Sequence, residues 1–419
     1  VSLDLLRPGG IHSFIATSNW ITNAGATNLR QKIITETQFE QFTDFGDFRV
    51  FASASIQTMI YVLRRTMQHH EGKVQYRRVI DAKASLADVI GFVSQGRSDG
   101  FGVAFDMSLA NIVPGEPFTF VNAGDAGALQ RIESHGQYRL KSGDVAQGIV
   151  SPQDFVTAQH IALLHDKTVK AGDGIFVLSA REKESMALSS EESALLRPYF
   201  TPNELGRYYG NPSNKSWIVY TTSDINSRIG AYPHIKRHLD RFAPVITSSY
   251  GPYGLHRARD ERFFLGEKIL ALRKASRPQF TYSDFPCYVS QTFYVLKPAD
   301  IDLRYLLGIL NSRLVRFWLD RKGKKQGSQF QIDKEPLLRI PIHSISSDDS
   351  AELIRRDRMV GLVERMLDLQ KKLHAASIPA DKKLFQRQIE ATDAEIDALV
   401  YDLYGLTDEE IAIVEGPEH

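Results

Sequence analysis

The chain has 419 residues, with 51 Lys and Arg against 50 Asp and Glu, for a formal net charge of +1. That length accommodates about two to three domains, and 42% hydrophobic and 24% charged residues are ordinary for a globular protein. The one cysteine, Cys287, excludes an internal disulfide framework and a cysteine-built zinc site, and points to the cytoplasm. No apolar run reaches the roughly 18 residues of a membrane span, so no membrane partner is expected.

The chain opens on VSLDLLRPGG, with neither a methionine nor a charged-then-apolar leader, and is expected to be a fragment. In LLRPGGIHSFIATSNW a helix end closes on Gly9-Gly10, and an apolar strand is predicted over 11–17. An amphipathic helix follows around 28–36, then two strands separated by the FRVF step. Residues 1–66 thus alternate strand and helix in the α/β manner. From 67 to 135 the pattern loosens into a connector with local β structure, such as a strand over 117–121.

From 136 to 345 the chain is mixed. Helices are predicted at ESALLRPYF, YPHIKRHLDRFAP and LRYLLGILNSRLVRFWLDRKG. Strands are predicted at KSWIVYTT, EKILALRK, QFTYSDF and CYVSQTFYVLK. In 346–419, Leu362, Met366, Leu369 and Leu373 form one helical stripe, and Ile389, Ile396, Val400 and Leu403 a second. Ile378-Pro379 separates them, predicting a helical hairpin, and Thr407 with Glu410 makes a capping box for a last helix.

Charge is unevenly spread. Residues 256–277 hold seven Arg or Lys against three acids, and 313–325 hold six against one, while the last 40 residues are acidic. A basic face on a near-neutral chain suits a nucleic-acid reader, and equally a solvated surface.

No phosphate loop, GxGxxG or HExxH occurs. His69-His70 have no partners at ligand spacing, and Glu71-Gly72-Lys73 lacks the upstream Pro-Asp pair of a metal-dependent nuclease, so neither a metal site nor DNA cleavage is expected.

LLRPGG, FIATSNW, Leu29-Arg30 and VFASASIQTMIYVL, in that order, resemble the end of the catalytic domain of TaqI-like, gamma-class adenine-N6 DNA methyltransferases, including fused type II restriction-modification enzymes. DVAQGIVSPQD, GDGIFVLSAREKE, LLRPYF, WIVYTT, YPHIKRHLDRF, YGLHRARD, EKILALRK and YLLGILNSRLVRFWL, ending in LLRIPI, resemble the C-terminal specificity domain of the same enzymes. The resemblance implies the remnant of a doubly wound methyltransferase sheet (1–66), a connector (67–135), a mixed α/β target-recognition domain (136–345) and a helical hairpin with a last helix (346–419). It also implies double-stranded DNA as partner and S-adenosylmethionine as cofactor of the complete enzyme.

The family's donor-binding glycine loop and its Asn-Pro-Pro-Tyr type motif are not in the chain; the lone Asn-Pro is Asn211-Pro212, followed by Ser213. No donor is therefore expected to be bound by this chain alone, and no catalytic residue is assigned in it. The resemblance implies an aromatic from the last strand against a flipped base. The residue here is Tyr61, which shares a face with Leu63, the family's nearer position; a plain sheet residue is the competing reading.

DNA contacts are assigned by chemistry, since Arg reads guanine bidentately, Asn or Gln reads adenine, and Lys holds phosphate. In 248–259, Tyr253, Arg257 and Arg259 are candidates, against a loop pinned by Asp260 or Glu261. In 321–329 the candidates are Arg321, Lys322, Lys324, Lys325, Gln326 and Gln329, because adjacent cations repel unless solvated or facing phosphate. Lys236, Arg237 and His238 read as a solvated helix face. Two further readings stay open: a stand-alone specificity subunit serving separate methyltransferase or nuclease chains, and an interaction protein unrelated to DNA.

Overall fold

The computed structural model describes residues 1–53, 57–66, 72–95, 100–109, 112, 117–164, 166–248, 250–326 and 329–416. His69-His70 and Glu71 lie outside them. The chain divides into two compact units: unit 1 comprises 1–135, 317–331 and 404–419, and unit 2 comprises 136–316 and 332–403.

Unit 1 begins with strand β1 (Ile11–Thr17), helix α1 (Thr27–Glu36) and strands β2 (Thr37–Asp44) and β3 (Thr58–Arg65). Buried Arg30 fixes α1, its guanidinium donating to the Trp20 and Asn23 carbonyls at 2.8 and 2.7 Å, so the preceding turns keep their main-chain partners. The chain then adds β4 (Lys73–Val79), α2 (Leu86–Gln95) and β5 (Gly102–Ser108) to the same sheet. Its order is β1-β3-β2-β4-β5, with β2–β4 parallel and the other pairs antiparallel.

The β structure of 67–135 is β4 and β5, which complete the sheet, and α3 (Ala123–His135) follows. The stretch 117–121 is not a strand. Its alternation serves another end, since Phe118 is buried edge-on to Trp20 and Phe39. One sheet face packs Trp20, Ile33, Phe39, Phe42 and Leu63, and the other packs Phe45 and Val79 beneath Val89 and Phe92 of α2. Gly102 is required there, because a Cβ would lie 2.6 Å from the Phe92 ring. At the sheet's end, β1 leaves Ile11, Phe14 and Ile15 exposed at 55, 50 and 38%.

Unit 2 opens with β6 (Val145–Gln147), α4 (Ala158–Leu164), β7 (Val177–Ser179), α5 (Ala180–Ser185) and α6 (Ser190–Ser193). ESALLRPYF is then mostly strand, β8 (Leu196–Phe200). Ser189 and Glu192 cap a single turn, and Pro198 cannot continue a helix. There follow β9 (Tyr208–Tyr209), β10 (Ser216–Val219), α7 (Ile225–Arg228), α8 (Pro233–Arg241), β11 (Lys268–Leu272), β12 (Lys274–Ala275), β13 (Phe280–Ser283), β14 (Tyr288–Val289) and β15 (Phe293–Leu296). Two sheets result, β14-β8-β10-β7 and β6-β15-β11-β13-β9. They share a core that includes Phe176, Phe200, Ile218, Leu239, Phe264, Leu270 and Val295.

The predicted long helix is two, α9 (Leu303–Asn311) and α10 (Arg313–Lys322). Ser312 is extended, and its hydroxyl accepts from Val315 N at 3.2 Å, while Asn311 turns aside to exchange two hydrogen bonds with the Phe280 main chain. A small hairpin, β16 (Lys324–Gln326) with β17 (Gln329–Gln331), precedes α11 (Lys334–Arg339).

The helical hairpin is α12 (Ser350–Ala375) and α13 (Pro379–Leu403), with Arg365 bonded to Thr392 at 3.1 Å and Arg355 to Asp402 at 2.8 Å. It belongs to unit 2. Gly308 of α9 admits Met359 of α12, whose sulfur would lie 2.4 Å from a Cβ there. The last helix, α14 (Asp408–Val414), has the Thr407–Glu410 capping box and joins unit 1, where Glu410 accepts from Arg131 of α3 at 3.0 Å. Among the described residues no helix is long and apolar enough to cross a membrane.

Candidate nucleic-acid interface

The segment 248–260 is held along its length by unit 2 framework. Leu255 is buried in the core and its N–H donates to the Thr221 carbonyl at 3.2 Å. Thr221 Oγ1 donates to the Tyr253 carbonyl at 2.5 Å, and Asn226 Nδ2 to the Tyr250 carbonyl. Gly251, at φ +72°, lies against Asn226, where a Cβ would come 2.9 Å from Oδ1. Asn226 thus sets the loop tip from 24 residues away, and no local sequence signal marks it.

Arg257 exchanges two main-chain hydrogen bonds with Val150, both 3.0 Å. Its side chain is exposed, with no hydrogen-bond or ion-pair partner among the described residues. Arg259 is different. Its backbone has φ +72°, its Nε donates to the Gly148 carbonyl at 3.2 Å and its Nη2 to Gln147 Oε1 at 3.1 Å. Burial, then Arg257, pulls its pKa down. Gly148 itself packs against the main chain of Ser290, whose carbonyl oxygen would lie 2.1 Å from a Cβ there.

The acids expected to pin the loop act elsewhere. Glu261 receives Arg197 at 2.7 Å, and Asp260 pairs with Arg262 at 3.1 Å. Tyr253 donates to Asp240 at 2.6 Å, and Asp240 also binds Lys236 at 2.6 Å. These two hydrogen bonds hold the Asp240 carboxyl below its usual range. His238 is half-buried on Ile175 O at 2.9 Å, with burial lowering its pKa, so of the three α8 residues Arg237 is the one both exposed and without a described partner.

The second candidate segment lies in unit 1, and most of its charge is matched there. Arg321 donates to Asp125 at 2.7 Å and also meets Asp320; Lys322 pairs with Glu133 at 3.1 Å. Lys325 pairs with Asp320 and sits over the Phe330 ring at 5.1 Å. Burial works to raise the Asp320 pKa, but Lys325 and Arg321 outweigh it and hold the carboxyl low. Lys324 and Gln326 lie on β16 opposite Gln331 and Gln329, and Gln329 is exposed. Gly327 and Ser328 fall outside the described residues. Arg321 and Lys322 use acids that sequence proximity does not reveal, Asp125 and Glu133 of α3, whereas Lys325 uses the nearby Asp320.

In unit 1, Tyr61 of β3 lies opposite Phe14 of β1 and Phe42 of β2. It is buried, and burial raises its pKa. Its ring centroid is 5.2 Å from Trp20, 6.0 Å from His12 and 6.1 Å from Phe14, the last half-exposed. Trp20 Nε1 and His12 Nδ1 are buried without a hydrogen-bond partner among the described residues. Trp20 and Tyr61 are buried in the core, and of the four His12 and Phe14 reach the surface. No group of three or more His, Cys, Asp or Glu among the described residues is placed to hold a metal ion.

Comparison with known proteins matches both parts of this arrangement. Residues 220–342 match the TaqI-like C-terminal specificity domain, and residues 1–51 match the Eco57I restriction-modification methylase. The chain is thus similar to a restriction-modification methylase over its first 51 residues and to a TaqI-like specificity domain over 220–342. Type II methyltransferase M.XhoI of Xanthomonas vasicola is 21% identical over 424 residues, covering 98% of this chain and 68% of the relative. The type IIL restriction-modification enzyme MmeI, solved in complex with DNA, shares 13% identity. Its fold is similar, with a TM-score of 0.59 over 96% of this chain and 48% of MmeI. The type IIG restriction endonuclease BpuSI is 14% identical, with a TM-score of 0.35 over 96% of this chain and 48% of its own. The chain spans about half the length of these two structures.

Proposed function

We propose that this chain is the target-reading part of an adenine-N6 DNA methyltransferase of a restriction-modification system, working in the cytoplasm on double-stranded DNA. The observation that carries the reading is the 248–260 segment inside the matched specificity domain. Its backbone is fixed at Tyr250, Tyr253, Leu255 and Arg257, while the Arg257 guanidinium is exposed and unengaged. With its main chain already held, meeting a guanine edge costs Arg257 the ordering of its side chain alone. Arg259 holds the loop, and Asp240 and Lys236 of α8 brace it through Tyr253.

The methyl donor, S-adenosylmethionine, is assigned to a part of the complete enzyme other than this chain. The unpaired apolar edge of β1 is where that catalytic part, or a partner methyltransferase chain, would extend the sheet. A base-stacking role for Tyr61 is then exercised through the rim that it backs, His12 and Phe14, with the base extruded from the duplex. The stand-alone specificity subunit is the competing assembly of the same reader.

The test is a titration of the chain on duplex DNA of random sequence and on the target duplex at two salt concentrations. Salt-sensitive binding to both, with Arg257→Ala losing the preference for the target by about 5- to 150-fold, is the expected result. Absence of binding at low salt overturns the reader and leaves an interaction protein.

A further inference from the structure

The far end of the helical hairpin is a strongly basic surface that the recognition loop does not account for. Between 370 and 388 the chain carries Lys371, Lys372, Lys382, Lys383 and Arg387 against a single acid, Asp381, although the last 40 residues as a whole are acidic. All five cations are exposed. Lys372 pairs with Asp368 at 2.7 Å; the side chains of Lys371, Lys382, Lys383 and Arg387 have no hydrogen-bond or ion-pair partner among the described residues.

Packing does not explain them. The buried residues of the hairpin run from Met359 to Leu369 on α12 and from Ile389 onward on α13, so the basic end lies beyond the apolar seam. The arm is nevertheless ordered against the body, for the His374 ring meets Tyr209 edge-on at 5.4 Å. Lys383 and Arg387 stand one turn apart on one helix face, where like charges destabilise the helix. Nor do the helix ends supply the field: the C-terminus of α12 and the N-terminus of α13 meet there with opposed dipoles, so the positive potential is that of the side chains.

We infer that this hairpin end is a second DNA contact, a phosphate-backbone clamp that holds duplex DNA without reading its sequence. Charge complementarity names the occupant: flexible, unpaired ammonium groups suit a polyanion with closely spaced phosphates, and their contact releases counterions. The inference rests on the reading of the chain as a DNA reader, and gives the hairpin the work of affinity while Arg257 does the work of choice.

The experiment compares the full chain with the variant carrying Lys382→Gln, Lys383→Gln and Arg387→Gln. Glutamine is a good helix former, and unchanged circular dichroism shows that the hairpin is kept. Both are titrated on random and target duplexes across a salt series. The expected result is a log-log salt slope shallower by about 0.9 to 2.7, for one to three lost phosphate contacts, with target preference unchanged. A variant with the parent's slope and affinity overturns the clamp while the reader stands, leaving exposed Ile378 and Leu384 as marks of a protein partner. A parent chain that binds no duplex overturns both.

Discussion

At the scale of single residues, the two arginines of the 248–260 segment have opposite surroundings. Arg257→Ala removes an exposed side chain without described partners, so unfolding free energy should move by less than about 0.5 kcal/mol while target preference falls. Arg259→Ala removes the hydrogen bonds to Gly148 and Gln147 and keeps a residue at positive φ, so a loss of about 1–2 kcal/mol is expected in urea denaturation. Equal stability losses in the two variants would refute this division. The sequence shows that both residues are arginine; it does not show that one guanidinium is consumed by Gly148, 111 positions away. The same limit governs 321–325, where the repulsion argument is sound locally but Asp125 and Glu133 answer it from α3. The sequence marks Tyr61 as an aromatic on the last strand, whereas its enclosure by Trp20 and His12 depends on register.

At the scale of elements, local chemistry marks most boundaries. The strand over 11–17, the Ile378-Pro379 break and the Thr407–Glu410 box all appear where the local sequence places them. Reading fails where one signal has two uses. LRPYF has helical composition around a proline that fits a strand, and the apolar period of 303–322 runs through Ser312 as though nothing happened there. Gly308 shows a further case, a helix-interior glycine whose reason is the opposing Met359. Gly308→Ala would gain helix propensity in isolation but should cost the folded chain about 1–3 kcal/mol by overpacking α9 against α12. Met359→Ala in the same background should recover part of that loss, and a gain in stability on Gly308→Ala alone would disprove the close approach.

At the scale of the whole molecule, one buried charge cluster ties the hairpin to the rest of unit 2. Arg207 donates to both oxygens of Asp393 at 2.7 and 2.8 Å, Tyr208 donates to Asp393 at 3.0 Å, and Asp397 accepts from Arg313 N at 2.8 Å. Burial is the main force raising the Asp397 pKa to about 6, and Asp393 adds to it while Arg207 and Arg313 oppose. A folded pKa above the ordinary 3.8 means that the native state binds more protons between those values. Stability from this group therefore falls as pH rises from about 4 to 6, by at most about 3 kcal/mol. Asp397→Asn keeps the acceptor and removes the titration, so its urea midpoint should vary less over that interval than the parent's. Parallel pH profiles for the two proteins would rule out the assignment.

The division of the chain has a practical consequence for exchanging specificity between relatives. Unit 1 is written in three pieces, with 317–331 and 404–419 supplying Arg321, Lys322 and Glu410 to partners on α3. A graft cut once at Gly136 would carry those foreign pieces along and leave Asp125, Glu133 and Arg131 facing strangers. A chimera that takes 136–316 and 332–403 from a donor, and keeps the host's 317–331 and 404–419, preserves every one of these pairs. Exchanging unit 2 in this architecture is thus a matter of two inserts rather than one.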